Sequence, residues 1–432
     1  MCKLRAIKIL LLKASSPNKI LLLLLFFVLP FTGRSLGVLT HEAIIDASWD
    51  NSIVPLLKAH FPQATAEEIK AAHAYAYGGA VCPDMGYFPF SSRMFTYLVH
   101  YVRSGDMVSA LLKEANNINQ YAFALGFLSH YEADNYGHPM ATNKSVTLVY
   151  PKLKRKYGSV ITYAQDKISH MRMEFGFDVL QTSKGNYASL AYHDFIGFKV
   201  DTSVLARAFH DTYGLDINKV FKNWLPMAIE VFRFMVANVF PLITKSSYAF
   251  KSSKKLKSDS TATSKRFRYK MQVKKYNKDF GTGYKKAGFF PTMFAALIKV
   301  LPKIGPLRPL RFKTPNAQAE KYFDDSFDTI LVHFSSNLRH LRQPNIVLTD
   351  KDFDTGKPTE ECEYSLADET YNKWILDLDY NKFKNVSPSI KKNILSFYTR
   401  IDVSPRNKYS KKCHKLYDAF EHLKNFHPVN LE

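Results

Sequence analysis

Apolar positions recur at intervals of three and four along most of the chain, which is the pattern of helices that bury one face. Runs that alternate at every second position, as half-buried strands do, are few. The helical pattern is clearest in residues 64–78, 104–137, 161–181, 216–243, 317–343 and 389–401. We therefore predict an all-α protein, a multi-helix bundle with additional C-terminal helices.

The first 35 residues differ from the rest of the chain. They hold six Lys or Arg and no acidic residue, and an apolar run, residues 20–32, is followed by small residues. This run of 13 residues is shorter than the roughly 20 needed to cross a bilayer, and Pro30 interrupts it. The pattern predicts a cleaved signal peptide over residues 1–35 and export to the periplasm, the extracellular space or the cell surface. Mature chains that begin at Leu36 or at Val38 both satisfy the small-residue preference for cleavage.

Composition adds ample core material and a strong positive charge. The chain has 432 residues, 46% of them hydrophobic, with a formal net charge of +22 and no close pair of cysteines that would suggest a zinc knuckle. Residues 251–286 hold 13 Lys or Arg against Asp259 and Asp279. Such a segment attracts lipid or nucleic-acid phosphates, and it is equally typical of a solvated linker. We predict a basic linker or insertion at residues 246–290, followed by a helical C-terminal region, residues 291–432, of unknown role.

Candidate chemistry begins with the segment HYEADNYGHP, residues 130–139. Residues four apart on a helix lie on the same face, so His130 and Asp134 can reach one ion, whereas His138 lies too far along the helix to share it. Asp134 therefore lies between two possible metal ions, and a carboxylate can offer one oxygen to each. His170 and Glu174 repeat the spacing on what reads as a separate helix.

Further candidates lie upstream, and one pair with the same spacing serves as a contrast. His41 follows the expected mature start, Asp84 lies in a loop that contains Pro and Gly, and His100 lies on an aromatic helix. The contrasting pair is His414 with Asp418, which is flanked by lysines and is predicted to lie on a solvated face. Cys82, two residues before Asp84, is interpreted as a small buried loop residue and not as a ligand.

Four motifs together resemble a known family. THEAII, HAYAYGGAVCPDMGYFP, FLSHYEADNYGHP and HMRME look like the successive motifs of the zinc-dependent phospholipase C family. Its helical catalytic domain is shared with the S1/P1 nucleases and with the amino-terminal domain of glycosylphosphatidylinositol-specific phospholipase D. The similarity covers roughly residues 36–245, and the short spacing from Asp134 to His138 resembles the phospholipase D branch.

The resemblance implies two to three zinc ions within the helical bundle. One zinc would be held by Asp84, His100, His130 and Asp134, and a second by His138, His170 and Glu174. The third would be held by His41, Asp134 and the amine and carbonyl of the mature amino terminus, here Leu36. Many relatives begin with Trp, and Leu36 can replace it because the ligands are backbone atoms.

The expected activity is hydrolysis of phospholipid headgroup esters by an exported phosphodiesterase. Divalent ions would neutralise the phosphodiester and activate a metal-bound hydroxide, with Asp134 as bridge and Asp84 as ligand and proton acceptor. The expected partner is a phospholipid or membrane surface, and no protein partner is inferred. Two alternatives stay open: a nuclease of the S1/P1 type, which would bind nucleic acid at the same metal site, and a non-catalytic, zinc-stabilised surface-binding protein.

Overall fold

A computed structural model describes residues 37–188, 190–244, 308, 310–341, 348–398 and 411–428 of the chain. The predicted signal peptide, Leu36 and the basic segment at residues 251–286 lie outside these ranges. The described part is helical and contains no named strand, with one isolated bridge between Lys351 and Pro358. The predicted all-α class is therefore confirmed.

The helices are numbered here in chain order over the described residues. They are α1 Val38–Ser48, α2 Val54–His60, α3 Ala66–Val81, α4 Arg93–Tyr101, α5 Ser104–Glu114, α6 Ile118–Gly137, α7 Asn143–Val149, α8 Pro151–Tyr157, α9 Lys167–Ser183, α10 Leu190–Ile196, α11 Thr202–Tyr213, α12 Ile217–Val220, α13 Leu225–Phe234, α14 Ala317–His340, α15 Ser365–Tyr380, α16 Pro388–Phe397 and α17 Lys411–Asn425. A 3₁₀ turn, Cys82–Tyr87, extends α3, and a π-helical turn, His138–Thr142, extends α6.

Helices α3 and α6 pack closely at the centre of the bundle because glycines remove the side chains between them. A Cβ atom on Gly79 would overlap the carbonyl of Phe123, and one on Gly126 would overlap the carbonyl of Ala76. The start of α3 is fixed by a capping box in which Thr65 and Glu68 each accept a bond from the other's backbone N–H. This central pair carries several of the candidate ligands, so their placement depends on the close contact.

The C-terminal helices pack onto this bundle. Helix α14 lies across α6 and its π-helical turn, where Asn337 Nδ2 donates to Glu132 Oε1 at 2.5 Å. Helix α15 packs on α4, and the buried Trp374 donates to the carbonyl of Tyr213 at 2.8 Å. The segment before α15 also runs along the bundle, and Phe353 N–H donates to the carbonyl of His100 at 3.1 Å.

One helical run among the described residues, Leu225–Thr244, is long and apolar enough to span a membrane. Its most apolar stretch is 56% buried within the protein, as is typical of a core helix in a globular protein. By length and composition alone this is weak evidence for a span.

Candidate metal centre

The structure brings eight of the nine predicted ligands to one place in the bundle. Six of these side chains are buried, and two, His138 and Glu174, are partly buried. They come from α1 (His41), the 3₁₀ turn (Asp84), α4 (His100), α6 (His130 and Asp134), the π-helical turn (His138) and α9 (His170 and Glu174). The ninth predicted ligand, Leu36, lies outside the described residues, but its neighbour Gly37 lies close to Glu174 and His41.

A first group of ligand atoms converges around the Nε2 atoms of His100 and His130. These two nitrogens are 3.4 Å apart, and His100 Nε2 is 3.3 Å from Asp84 Oδ1. Each ring donates its Nδ1 proton to a backbone carbonyl at 2.8 Å, His100 to Thr96 and His130 to Ala80. Because Nδ1 carries the proton of a neutral imidazole, both Nε2 atoms offer lone pairs toward the same point. That arrangement fits a shared cation.

Asp134 connects this group to the rest of the site through its two oxygens. Oδ2 is 3.1 Å from His130 Nε2 and 3.5 Å from His100 Nε2. Oδ1 is 3.6 Å from the Nε2 atoms of both His41 and His138. His41 also stacks on His130, with ring centroids 4.3 Å apart. The geometry is that of the bridging carboxylate predicted from the sequence, although its role as a ligand remains a prediction.

A second group lies on the other side of Asp134. Glu174 Oε1 is 3.0 Å from His138 Nε2 and 3.1 Å from His170 Nε2. The two imidazoles meet edge to face, with centroids 4.6 Å apart. His138 and His170 therefore approach the same oxygen of Glu174. Their predicted assignment to one ion requires this proximity.

The ionisation of these groups reflects mutual stabilisation by charge. Burial raises the pKa of Glu174, but the neighbouring His170 and His138 outweigh it and bring the pKa to about 2. Burial likewise opposes ionisation of Asp134, yet His130 and His138 hold the pKa of this carboxyl well below its usual range. Burial, reinforced by the His130 ring, lowers the pKa of His41 to about 4. The carboxylates are thus ionised, as metal ligands must be.

A small cavity of about 50 Å³ adjoins the ligand groups. Its lining includes four candidate ligands, His41, Asp134, His138 and Glu174, together with several apolar side chains. The apolar wall comprises Phe177 of α9 and Phe323, Phe327 and Ile330 of α14. Helix α14 comes from the region for which the sequence indicated no chemistry, so that region contributes to the candidate site.

Sequence reasoning also missed Asp354, which is 1% exposed and lies behind the second group. Its Oδ1 atom is 3.7 Å from His138 Nδ1 and 3.8 Å from His170 Nδ1. The three residues can be grouped around one point as possible metal ligands. The sequence DTG, residues 354–356, indicated only a turn, and nothing in it pointed to the distant His138 and His170.

Other histidines and the cysteine near Asp84 occupy different surroundings. His73 and His193 belong to a separate buried cluster, in which His193 Nδ1 is 2.6 Å from Glu42 Oε2 and His73 Nε2 is 3.3 Å from Asp46 Oδ1. His414 and Asp418 are exposed, which confirms the solvated face predicted for this pair. Cys82 is fully buried, as predicted, and burial raises the pKa of its thiol.

Comparison with known families agrees with this geometry. Residues 40–223 match the family model described as zinc dependent phospholipase C. All eight described candidate ligands lie within that range, whereas α14 and Asp354 lie outside it. No curated protein and no solved structure matches the chain.

Proposed function

We propose that this chain is an exported hydrolase of phospholipid headgroup esters. Residues 40–223 match the family model of zinc-dependent phospholipase C, a family of phospholipid-hydrolysing zinc enzymes. The observation that carries the proposal is the pair of ligand groups joined through Asp134 beside a cavity with an apolar wall. The ligand groups would bind the phosphodiester, and the apolar residues would contact the lipid part of the substrate.

The residues present fit zinc. The first group places the Nε2 atoms of His100 and His130 3.4 Å apart, and with the proton of each ring on Nδ1, both Nε2 lone pairs are available to a cation. Neutral imidazoles and ionised carboxylates are the nitrogen and oxygen donors that zinc accepts. Buried charges and imidazoles that face one another in this way are stabilised by a metal ion. His100, His130, Asp84 and Asp134 would hold one ion, and His138, His170 and Glu174 a second.

Zinc, when bound, supplies positive charge that neutralises the phosphodiester and brings the pKa of a water toward neutrality. The chain itself orients this chemistry. Asp134 presents one oxygen to each ligand group, and the backbone carbonyls of Thr96 and Ala80 hold the rings of His100 and His130. Asp84 is ionised, since His100 and His130 outweigh burial and lower the pKa of this carboxyl, so it can accept a proton from water. The buried thiol of Cys82 takes no part as nucleophile.

The apolar wall supports a lipid substrate. Phe323 and Phe327 of α14 and Phe177 of α9 line the same cavity as the candidate ligands, and the Phe177 and Phe323 ring centroids are 4.7 Å apart. Burial of glyceride carbon against these rings would stabilise the bound substrate through the hydrophobic effect. Phe327→Ala is therefore expected to lower kcat/KM on long-chain phosphatidylcholine about tenfold, with unchanged zinc content, in line with the loss of about 1.4 kcal/mol of binding.

Activity assays on three substrates test the function. The purified full chain is incubated with phosphatidylcholine vesicles, phosphatidylinositol vesicles and single-stranded DNA, each with and without the zinc chelator 1,10-phenanthroline. We expect chelator-sensitive release of diacylglycerol from at least one lipid. Release of nucleotides with intact lipid would replace this function by a nuclease, and zinc-loaded protein inactive on every substrate would favour a surface-binding protein.

Export and the start of the mature chain form a second part of the proposal. Residues 1–35 have the composition of a signal peptide. A start at Leu36 retains Gly37, whose carbonyl accepts the first helical bond of α1 from His41 N–H at 3.2 Å. A start at Val38 would remove that bond next to a candidate ligand. Amino-terminal sequencing of the exported protein should therefore return Leu36, and recovery of uncleaved protein from the cell interior would contradict export.

A further inference from the structure

The loop that precedes α15 places a buried carboxylate directly behind the second ligand group. Asp354 is 1% exposed, and its carbonyl accepts a bond from Asn143 Nδ2 at 2.8 Å. Asp352 accepts bonds from the N–H groups of Asp354 and Thr355 at 3.0 and 2.9 Å, which closes the turn. The position of the Asp354 side chain is thus fixed by its own loop and by the bundle.

The two oxygens of Asp354 have different surroundings. Oδ2 accepts from the N–H of Tyr163 and from the hydroxyl of Tyr364, both at 2.7 Å. Oδ1 has no hydrogen-bond partner and faces the Nδ1 atoms of His138 and His170 at 3.7 and 3.8 Å. A buried carboxylate oxygen without a partner is costly, so its orientation toward these imidazoles calls for a functional explanation.

The histidines of the two ligand groups share one arrangement, with a single difference. His100, His130 and His138 each donate Nδ1–H to a backbone carbonyl, the last of them to Phe353 at 3.1 Å. His170 Nδ1 is buried and has no hydrogen-bond partner. The nearest acceptor described for it is Asp354 Oδ1. Asp354 therefore takes the place that a carbonyl takes behind the other three rings.

Asp354 and Glu174 lie on opposite sides of the same imidazoles. The Nε2 atoms of His138 and His170 face Glu174, whereas their Nδ1 atoms face Asp354. A zinc ion held through Nδ1 of both rings together with Asp354 would require His138 to break its bond to Phe353. The geometry consequently favours a metal on the Glu174 side and a supporting role for Asp354.

We propose that Asp354 is a positioning residue for the zinc held by His138, His170 and Glu174. Its Oδ1 lies 3.8 Å from His170 Nδ1, and this negative oxygen favours the tautomer with the proton on Nδ1. That tautomer keeps the Nε2 lone pair directed at the metal, and the nearby carboxylate makes the ring a stronger donor. The C-terminal region thereby completes the zinc site, although it lies outside the residues that match the family. This inference rests on the zinc site in the proposed function.

The variant Asp354→Asn tests this role in the full chain. Its amide oxygen can replace Oδ2 toward Tyr163 and Tyr364, which turns the NH₂ group toward the two Nδ1 atoms and replaces an acceptor by a donor. Zinc affinity is measured by competition with a chromophoric chelator. We expect one zinc ion to bind about 10- to 100-fold more weakly. The melting temperature of the metal-free protein should not fall, because the substitution removes a buried charge.

The matched control is Asp352→Asn, which changes a buried carboxylate of the same turn that faces neither histidine. We expect it to bind zinc as the wild type does. Equal affinity of wild type and Asp354→Asn would overturn the inference, and so would an equal loss of affinity in both variants.

Replacement of zinc by Co²⁺ adds a spectroscopic readout, since loss of a coordinating ligand changes the visible bands. A change in those bands in Asp354→Asn would make the residue a ligand and overturn the positioning role. Absence of zinc from the wild type would instead overturn the proposed function.

Discussion

At the scale of single residues, Asp134 lies between the two groups of candidate ligands. Its oxygens face His130 and His100 on one side and His41 and His138 on the other, at 3.1 to 3.6 Å. The substitution Asp134→Asn would remove this negative charge and leave a neutral amide between the four imidazoles. Both ligand groups should therefore weaken together, which would not result from the loss of a ligand that serves one ion.

We expect Asp134→Asn to lower phospholipid hydrolysis by more than about 100-fold, a larger loss than is usual for residues that only support the metal ligands. The zinc content should fall by at least one ion. Metal analysis after dialysis and the diacylglycerol assay measure the two effects. Glu132→Gln is the matched control, because Glu132 is a buried carboxylate on the same helix that faces Asn337 and not the ligands. Full zinc content and activity in Asp134→Asn would exclude the bridging role.

Asp324 of α14 makes stability depend on pH. Burial, together with Glu320, raises the pKa of this carboxyl to about 7. Between about pH 4 and 7 the folded protein therefore holds a proton that the unfolded chain has lost, and stability from this group declines as pH rises through that window. Asp324→Asn should be more stable than wild type by about 1 kcal/mol at pH 8, after allowance for solvent screening, and equal to it at pH 4. Urea unfolding at both pH values measures this difference, and a difference that is the same at both would contradict the assigned pKa.

At the scale of elements, the contact between α3 and α6 determines where the ligands lie. His130 of α6 donates to the carbonyl of Ala80 at the end of α3, next to the turn that carries Asp84. Gly79 and Gly126 allow the two backbones to meet, since an added Cβ at either position would overlap a carbonyl of the other helix. The packing of two helices thus sets the distance between two ligands of the first group.

Gly126→Ala should force α3 and α6 apart and destabilise the protein by about 2 kcal/mol, despite the higher helix propensity of alanine. Denaturant unfolding measures the free energy, and chelator competition should show weaker zinc binding because His130 moves. Gly137→Ala is a matched change in α6, where the added Cβ meets only Ile330 Cδ1 at 3.7 Å. We expect its stability to be equal to or higher than that of wild type. Similar losses in both variants would mean that the close packing at Gly126 is unimportant.

At the scale of the whole molecule, the C-terminal region is part of the site and not an appendage. Phe353 contacts the rings of His100 and His130, with centroids 5.1 and 5.8 Å away. Helix α14 supplies the apolar wall of the cavity and Asp354 supports the second group. The region that matches the family model therefore lacks part of the surroundings of its own ligands.

A fragment of residues 36–245 is expected to lose its specific packing. Without α14 and Phe353, the apolar surface of α6 and the rings of the first group would be exposed to water. Near-UV circular dichroism, dye binding to exposed apolar surface and zinc competition compare the fragment with the full chain. We expect weakened near-UV signals, increased dye binding and at least tenfold weaker zinc binding. A fragment that unfolds cooperatively and binds zinc as the full chain does would show that the catalytic region is independent.

The helical class and most ligand candidates were predictable from the sequence because they depend on local spacing. A period of three to four predicts helices, and residues four apart share a face, so His130 with Asp134 and His170 with Glu174 could be paired without coordinates. The contrast with His414 and Asp418 was also predictable, because the lysines around them indicate solvent. The resemblance of four motifs then assigned the remaining ligands.

Only the tertiary structure decided which distant groups surround those ligands. Asp354 is one carboxylate in an ordinary turn, and Phe323 and Phe327 belong to an ordinary amphipathic helix, so neither carries a local pattern that points to the site. Their roles follow from how α14 and the loop before α15 pack on α6 and α9. Helix periodicity is set by bonds between near neighbours in the chain, whereas the surroundings of a metal centre are set by the packing of segments far apart in sequence.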